Sequence, residues 1–183
     1  MSLVDTNILV YSAVEGCQEQ ARCRELISSL QARAQPWFAT WPIIYEFLRV
    51  MTHLRVVPRP LTAGLAWRYV ESLLLSPGFK VLLPTDRHAE VAAATLQEYP
   101  HLRGSFFHDA HTAILMREHG LRTIYTRDLG FHRFPFLEVV DPLTADRGPF
   151  GVSEPSRRRR GRAAASRRAA KLRRRRPSSS RGA

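Results

Sequence analysis

The stretch SLVDTNILVY, residues 2–11, places an acid inside an apolar run only a few residues from the start of the chain. Leu3 and Val4 precede Asp5, and the apolar run resumes at Ile8. An ionised carboxylate costs several kcal/mol to bury unless it is paired, hydrogen-bonded or bound to a metal ion. Because SLV is typical of a short buried strand, we expect Asp5 just past the carboxyl end of that strand.

Short strand-like runs alternate with helical patterns along the body of the chain. The strand candidates are SLV (2–4), WFAT (37–40), FKVLL (79–83), TIYT (123–126) and LEVV (137–140). The helical patterns lie at 19–33, 42–53, 61–75, 85–99 and 108–120, with Pro42 at the start of the second and Thr62 and Thr85 as expected caps. This alternation predicts a mostly parallel sheet covered by helices on both faces. Ligands of such sheets bind beyond the carboxyl ends of the strands, where Asp5 and Asp128 are both expected.

The net charge of +12 is confined to the C-terminal end of the chain. Residues 1–150 carry equal numbers of basic and acidic side chains, whereas residues 151–183 hold 12 Arg, Lys171 and one acid, Glu154. A segment with so few large apolar residues cannot offset its ordering entropy, and we expect residues 143–183 to form a linker and a disordered basic tail. Such a tail binds RNA or DNA electrostatically, although an incidental extension explains it equally well. The arginines expected to contact RNA are Arg157, Arg158, Arg159, Arg160, Arg173, Arg174, Arg175 and Arg176.

The remaining composition favours one ordinary domain that does not enter a membrane. No apolar stretch approaches the roughly 18–20 residues that span a bilayer, and the N-terminus lacks the pattern of a secretory signal. Cys17 and Cys23 are expected on one helix, where they point in different directions and are not bridged. These features predict a reduced, cytoplasmic protein.

Glu46 and Asp109 are two further acids in unusual surroundings. Glu46 lies among apolar residues near the start of a helix, and Asp109 follows an aromatic pair at the start of another. Each acid alone has an ordinary structural explanation, as a helix cap, a partner of backbone amides or a partner of an arginine. Together with Asp5 and Asp128 they can converge on one pocket, where four like charges need a counter-ion. Because only oxygen ligands are offered, we expect one or two Mg²⁺ or Mn²⁺ ions and the phosphoryl chemistry of a nuclease.

Four segments in this order resemble the PIN-domain family: VDTNILVY, WPIIYEFLRVMTH, HDAHTAILMREHG and IYTRDLGFHRFP. The resemblance spans about residues 1–142 and is closest to VapC-type toxins of bacterial toxin–antitoxin pairs. It implies a three-layer α/β/α sandwich, divalent-metal-dependent endoribonuclease activity, a homodimer and inhibition by a small cognate antitoxin. It also implies that Asp5, Glu46, Asp109 and Asp128 form the catalytic, metal-binding site, supported by Asn7 and Thr126.

One position departs from this family pattern. Many relatives carry another acid two residues after the position of Asp128, whereas this chain has Gly130. The missing carboxylate weakens a second metal position.

Other interpretations of the sequence differ in the residues they require. A haloacid-dehalogenase-type phosphotransferase needs a second Asp two residues after the first, where this chain has Asn7. HD-type phosphohydrolases share the pair His108 and Asp109, but they need further His and Asp residues on an all-helical frame. A non-catalytic PIN-like module that binds RNA or a partner usually lacks one or more of the four acids, which are all present. That module and a housekeeping PIN nuclease without an antitoxin are the alternatives left open.

Overall fold

The computed structural model describes residues 1–33 and 35–144. Within them, five strands form one sheet in which every neighbouring pair is parallel. The strands are β1 (Ser2–Val4), β2 (Trp37–Thr40), β3 (Phe79–Leu82), β4 (Thr123–Tyr125) and β5 (Glu138–Val140). Their order in the sheet is β3-β2-β1-β4-β5, so the first strand of the chain is the central one. The predicted parallel sheet is confirmed, and each strand lies within its predicted stretch.

Six α-helices accompany this sheet in the described part of the chain. They are α1 (Thr6–Ala13), α2 (Gln20–Gln31), α3 (Trp41–Met51), α4 (Ala63–Leu74), α5 (His88–Glu98) and α6 (Phe106–Glu118). Helix α1 packs on α2 and α3, and α3 packs on α4, whereas α5 packs on α6. A short 3₁₀ helix, Leu129–Arg133, follows β4. The arrangement is the predicted three-layer α/β/α sandwich.

Helix α1 is the one α-helix that the sequence pattern did not predict. It begins at Thr6, directly after Asp5, whose side chain accepts a hydrogen bond from the Thr6 N–H. A cap of this kind satisfies a backbone donor at the helix start and lets the chain turn sharply out of β1. Ile8 and Leu9 then bury their side chains in the core. The apolar run therefore continues through Asp5 because a buried strand is followed at once by a buried helix.

Three local expectations need correction. Thr85 does not cap α5, which begins at His88 with Arg87 in the capping position; the Thr85 hydroxyl accepts from the Arg87 N–H at 3.2 Å, and its backbone N–H and hydroxyl both donate to the carboxylate of Glu118. Helix α3 begins one residue before Pro42 and is capped by Thr40. Cys17 lies before α2 and so does not share a helix with Cys23, although both are free thiols as expected. The cap predicted at Thr62 is confirmed by the hydrogen bond that its hydroxyl accepts from the Leu65 N–H.

The strand register brings the ends of β1 and β4 together. Val4 pairs with Tyr125, the last residues of the two strands, and the Asp5 N–H donates to the Tyr125 carbonyl at 3.0 Å. The central strand is fully buried, because helices cover both of its faces. Asp5 and the segment that starts at Thr126 therefore leave the same edge of the sheet side by side.

Two remaining expectations concern membranes and the C-terminal segment. Among the described residues, no helix has the length and apolar character needed to cross a membrane. The predicted basic tail and its eight RNA-contacting arginines lie outside the described residues, and their role stays a prediction.

Candidate acidic site

Asp5 is nearly buried, and both of its carboxylate oxygens accept hydrogen bonds. Its Oδ1 accepts from the Thr6 N–H at 2.7 Å, which is the cap of α1. Its Oδ2 accepts from the Asn7 side-chain amide and from the Thr126 hydroxyl, each at 2.6 Å. Asp5 therefore holds the start of α1 and at the same time orients a charge at the sheet edge.

Thr126 and Asn7, the two residues predicted to support the site, form one network with Asp5. The Thr126 hydroxyl donates to Asp5 and accepts from the Asn7 side chain and the Asp128 N–H, both at 2.9 Å. Since a hydroxyl has one donor and two acceptor positions, its capacity is fully used. The Asn7 side-chain oxygen accepts from the Arg127 N–H at 3.2 Å, which fixes the orientation of the amide. The network leaves the Asp5 side chain a single orientation.

Asp109 and Asp128 approach each other across the backbone of Gly130. Asp109 lies in the first turn of α6, and Asp128 precedes the short 3₁₀ helix and accepts from the Gly130 N–H at 2.7 Å. A methyl group added to Gly130 would lie 2.8 Å from Asp109 Oδ2 and 2.9 Å from Asp128 Oδ1. The departure from the family pattern at Gly130 thus leaves the space into which these two carboxylates point.

The surroundings of Asp5 and Asp109 disfavour ionisation of these two acids. The pKa of Asp5 is raised to about 6, mainly by burial and also by the charges of Asp128 and Asp109, against the hydrogen bonds from Thr126 and Thr6. Burial also raises the pKa of Asp109, and the charge of Asp128 acts in the same direction. Asp5, Asp109 and Asp128 therefore interact as one negatively charged cluster.

Glu46 lines the same groove but is engaged differently. It lies in the second turn of α3, and its two carboxylate oxygens accept from Arg49 Nε at 2.7 Å and Arg49 Nη2 at 2.5 Å. The hydrogen bonds from Arg49 lower the pKa of Glu46 below its ordinary range. Of the four predicted acids, the structure thus places Asp5, Asp109 and Asp128 close enough to interact through their charges. It pairs the fourth, Glu46, with Arg49.

All four acids line one open groove of about 1270 Å³. One wall is apolar and comes from α1, α3 and the loop after α3, with Val10, Val14, Val50 and Val57. The other wall carries Phe106 and His108 of α6 and Phe131 of the 3₁₀ helix. The four acids therefore share one groove with these apolar and aromatic side chains.

The acids fit a hard divalent cation by their chemistry. They offer carboxylate oxygens, which such cations prefer. Burial first, and neighbouring carboxylates second, raise the pKa of Asp5 and Asp109, and a bound cation would favour their ionised forms. Within residues 1–33 and 35–144, however, no group of three or more His, Cys, Asp or Glu side chains is already arranged to hold a metal ion. The Asp5 oxygens are taken by hydrogen-bond donors and Glu46 by Arg49. Binding a cation therefore requires some of these side chains to rearrange.

Arg49 is the groove residue that the sequence interpretation did not single out. It lies three residues after Glu46 on α3, the spacing at which helical side chains of opposite charge pair. This three-residue spacing is the feature of the sequence from which the ion pair of Glu46 and Arg49 could have been predicted. His108 is exposed, and its positively charged form contributes to the lowered pKa of Glu46 and opposes the raised pKa of Asp109.

Comparisons with known proteins agree with this fold. Residues 2–137 match the family described as PIN domain. Ribonuclease VapC43 of Mycobacterium tuberculosis is 33% identical over 143 residues, which cover 78% of this chain and 96% of that protein. The crystal structure of Mycobacterium tuberculosis VapC20, a sarcin–ricin-loop-cleaving toxin, has a TM-score of 0.56 at 20% identity and covers 76% of this chain and 98% of its own. VapBC2 from Rickettsia felis, bound to a DNA fragment from their promoter, has a TM-score of 0.55 at 13% identity, with coverage of 76% and 96%.

Proposed function

The chain belongs to the PIN domain family, and from this membership and its acidic groove we propose that it is a divalent-metal-dependent endoribonuclease, the toxin of a toxin–antitoxin pair. The observation that carries the proposal is the cluster of Asp5, Asp109 and Asp128 at one end of a large groove. The fold disfavours ionisation of Asp5 and Asp109, and a bound cation beside them offsets that cost. The name of VapC43 as a ribonuclease supports the same activity.

The side chains have distinct roles in this proposal. Asp5, Asp109 and Asp128, joined by Glu46, hold one or two Mg²⁺ or Mn²⁺ ions. When bound, such a cation stabilises negative charge on phosphoryl oxygens and makes water a better nucleophile. Thr126 and Asn7 keep the Asp5 carboxylate oriented toward the groove through the hydrogen bonds described above. The apolar wall excludes water from one side of the substrate.

Partners and place of action belong to the same proposal. VapBC2 from Rickettsia felis supports a small antitoxin as the protein partner. RNA is the proposed substrate, a homodimer the proposed assembly and the cytoplasm the proposed location. If the antitoxin covers the groove, the apolar wall at Val10, Val14 and Val50 is the surface available to it.

An RNA cleavage assay tests the activity. The purified protein is incubated with structured RNA in Mg²⁺, in Mn²⁺ and in excess EDTA, beside the Asp109→Asn variant. We expect cleavage only with the metal ion and only by the wild type, with products that carry 5′-phosphate and 3′-hydroxyl ends. Cleavage that persists in EDTA contradicts the metal-dependent mechanism. RNA binding without cleavage under every condition supports the non-catalytic module instead.

A growth assay tests the toxin role separately. Expression of the wild type in a bacterial host should stop growth, and co-expression of a small protein encoded directly upstream of the gene should restore it. Normal growth under wild-type expression, combined with cleavage in the tube, favours a housekeeping nuclease.

A further inference from the structure

The charge of the groove is unevenly distributed. Of the described residues that line it, Arg49 is the one arginine or lysine. The acids that line it are Asp5, Glu15, Glu46, Asp109 and Asp128. An RNA phosphate that enters the groove is therefore repelled by most of the charged side chains of the lining and meets one permanent positive charge there, Arg49. Arg59, beside Glu15, and Arg133, over the Phe106 ring, lie next to lining residues but outside the lining.

The Arg49 guanidinium is paired with Glu46 but remains accessible to solvent. The Arg49 guanidinium binds both oxygens of Glu46, while the side chains of Arg49 and Glu46 are 61% and 43% exposed. Exposed ion pairs of this kind are weak and exchange readily, because water competes with both partners. A guanidinium presents the same fork of N–H donors to a phosphate as to a carboxylate. A phosphate can therefore replace Glu46 on Arg49 without any change in the backbone.

We propose that Arg49 is the phosphate-binding residue of the groove, and that RNA takes Arg49 from Glu46 and so frees Glu46 to join the other acids around a divalent cation. This inference rests on the proposed function. It makes RNA and metal ion bind with positive coupling, because each favours the arrangement in which Glu46 and Arg49 are separated. By thermodynamic reciprocity, RNA must tighten metal binding by the same factor by which the metal ion tightens RNA binding.

An ion pair elsewhere in the fold provides a matched control. Arg22 and Glu25 on α2 have the same three-residue spacing and are 2.8 Å apart, with exposed side chains. Neither residue lines the groove. If the pair of Arg49 and Glu46 only stabilises its helix, then Arg49→Ala and Arg22→Ala should behave alike.

The first experiment measures metal binding to the full chain without RNA. Free Mn²⁺ is followed by electron paramagnetic resonance during titration of the wild type, Arg49→Ala and Arg22→Ala. Because Arg49→Ala releases Glu46, its affinity for Mn²⁺ should exceed that of the wild type by about two- to fivefold, the factor by which an exposed pair retains its partner. Arg22→Ala should match the wild type. Equal affinity of all three proteins overturns the exchange of Glu46.

The second experiment measures RNA binding in EDTA, where no cleavage occurs. Fluorescence anisotropy follows a labelled phosphorothioate RNA oligonucleotide at fixed salt, so that any contribution of residues 151–183 is the same for every variant. Arg49→Ala should lower the affinity about tenfold, the loss expected for a charge-assisted contact, whereas Glu46→Gln should raise it because Arg49 is then free. Affinities of both variants equal to that of Arg22→Ala would refute the phosphate role.

The two experiments separate this inference from the proposed nuclease activity. If the wild type neither binds Mn²⁺ nor cleaves RNA, the proposed function fails. Opposite effects of Arg49→Ala and Glu46→Gln on RNA affinity in EDTA would still support Arg49 as the phosphate site. If Mn²⁺ binds and RNA is cleaved but the RNA affinities do not change, the nuclease proposal stands and the role of Arg49 is refuted.

Discussion

Replacing Asp5 by Asn should change the stability of the protein in a pH-dependent way. Burial and the neighbouring charges of Asp128 and Asp109 raise the pKa of Asp5 from its ordinary value of 3.8 to about 6. Between these two values, the folded chain retains a proton that the unfolded chain has already lost. The stabilisation that comes from protonated Asp5 is therefore complete below pH 3.8 and is lost as the pH rises through 6.

The size of this effect follows from the two pKa values of Asp5. The interval between 3.8 and about 6 corresponds to about 3 kcal/mol of unfolding free energy, since one pKa unit is worth about 1.4 kcal/mol. The Asp5→Asn variant has no titrating group at this position, so its unfolding free energy does not fall by this amount as the pH rises. Its amide nitrogen cannot accept a hydrogen bond, so one of the bonds that the Asp5 oxygens accept from Thr6 and Thr126 is lost, which costs about 1–3 kcal/mol at every pH. The variant should therefore be less stable than the wild type at about pH 4 and equally stable or more stable at about pH 7.5.

The measurement is urea unfolding in EDTA at about pH 4, 6 and 7.5. Asp86→Asn serves as the control, because Asp86 is an exposed acid outside the groove. A difference in stability between wild type and Asp5→Asn that stays constant over this range would refute the electrostatic argument. Added Mn²⁺ at pH 7.5 should stabilise the wild type but not the variant, which we expect to be unable to cleave RNA. A variant that is less stable at every pH and still cleaves RNA would show that Asp5 acts only as a helix cap.

Two further substitutions and one truncation give independent tests. Gly130→Ala should leave the unfolding free energy within about 1 kcal/mol of the wild type, because the new methyl group meets only movable carboxylate ends, but calorimetry should show weaker Mn²⁺ binding. Glu118→Gln should cost about 1–3 kcal/mol near neutral pH, because the buried carboxylate accepts from Thr85 and His88. Although burial opposes it, hydrogen bonding lowers the pKa of Glu118 to about 2, so the wild type should lose this stability as the pH falls from 4.5 toward 2 and the variant should not. Removal of residues 151–183 should lower RNA affinity and flatten its salt dependence without changing the cleavage sites, and loss of cleavage at saturating RNA would place those residues in the active site.

The sheet could be predicted from the sequence because each strand leaves a local signal. The runs SLV and WFAT are short and mostly apolar, as strands buried on both faces are. Their parallel alternation with helices then placed Asp5 and Asp128 at one edge. Helix α1 escaped prediction because its apolar residues, Ile8 and Leu9, continue the run of the preceding strand, and only the cap at Asp5 separates the two elements.

The side-chain interactions within the acidic site could not be predicted from local sequence patterns. Thr126 donates to Asp5 across 121 residues of sequence, so their contact depends on the register of β1 and β4. The partner of Glu46 was left open because a helical acid can face either a cluster of acids or a nearby arginine. Which of the two it contacts is decided by side-chain rotation at fixed backbone, and three-residue spacing permits the arginine without requiring it.

The central position of β1 has a consequence for the synthesis of the protein. Of the five strands, the one that is synthesised first lies between β2 and β4, and β4 begins only at Thr123. Until the chain has grown past Asp128, Asp5 has neither Thr126 to orient it nor Asp128 to complete the acidic cluster. By the order of its strands, the acidic site is therefore complete only after most of the domain has been translated.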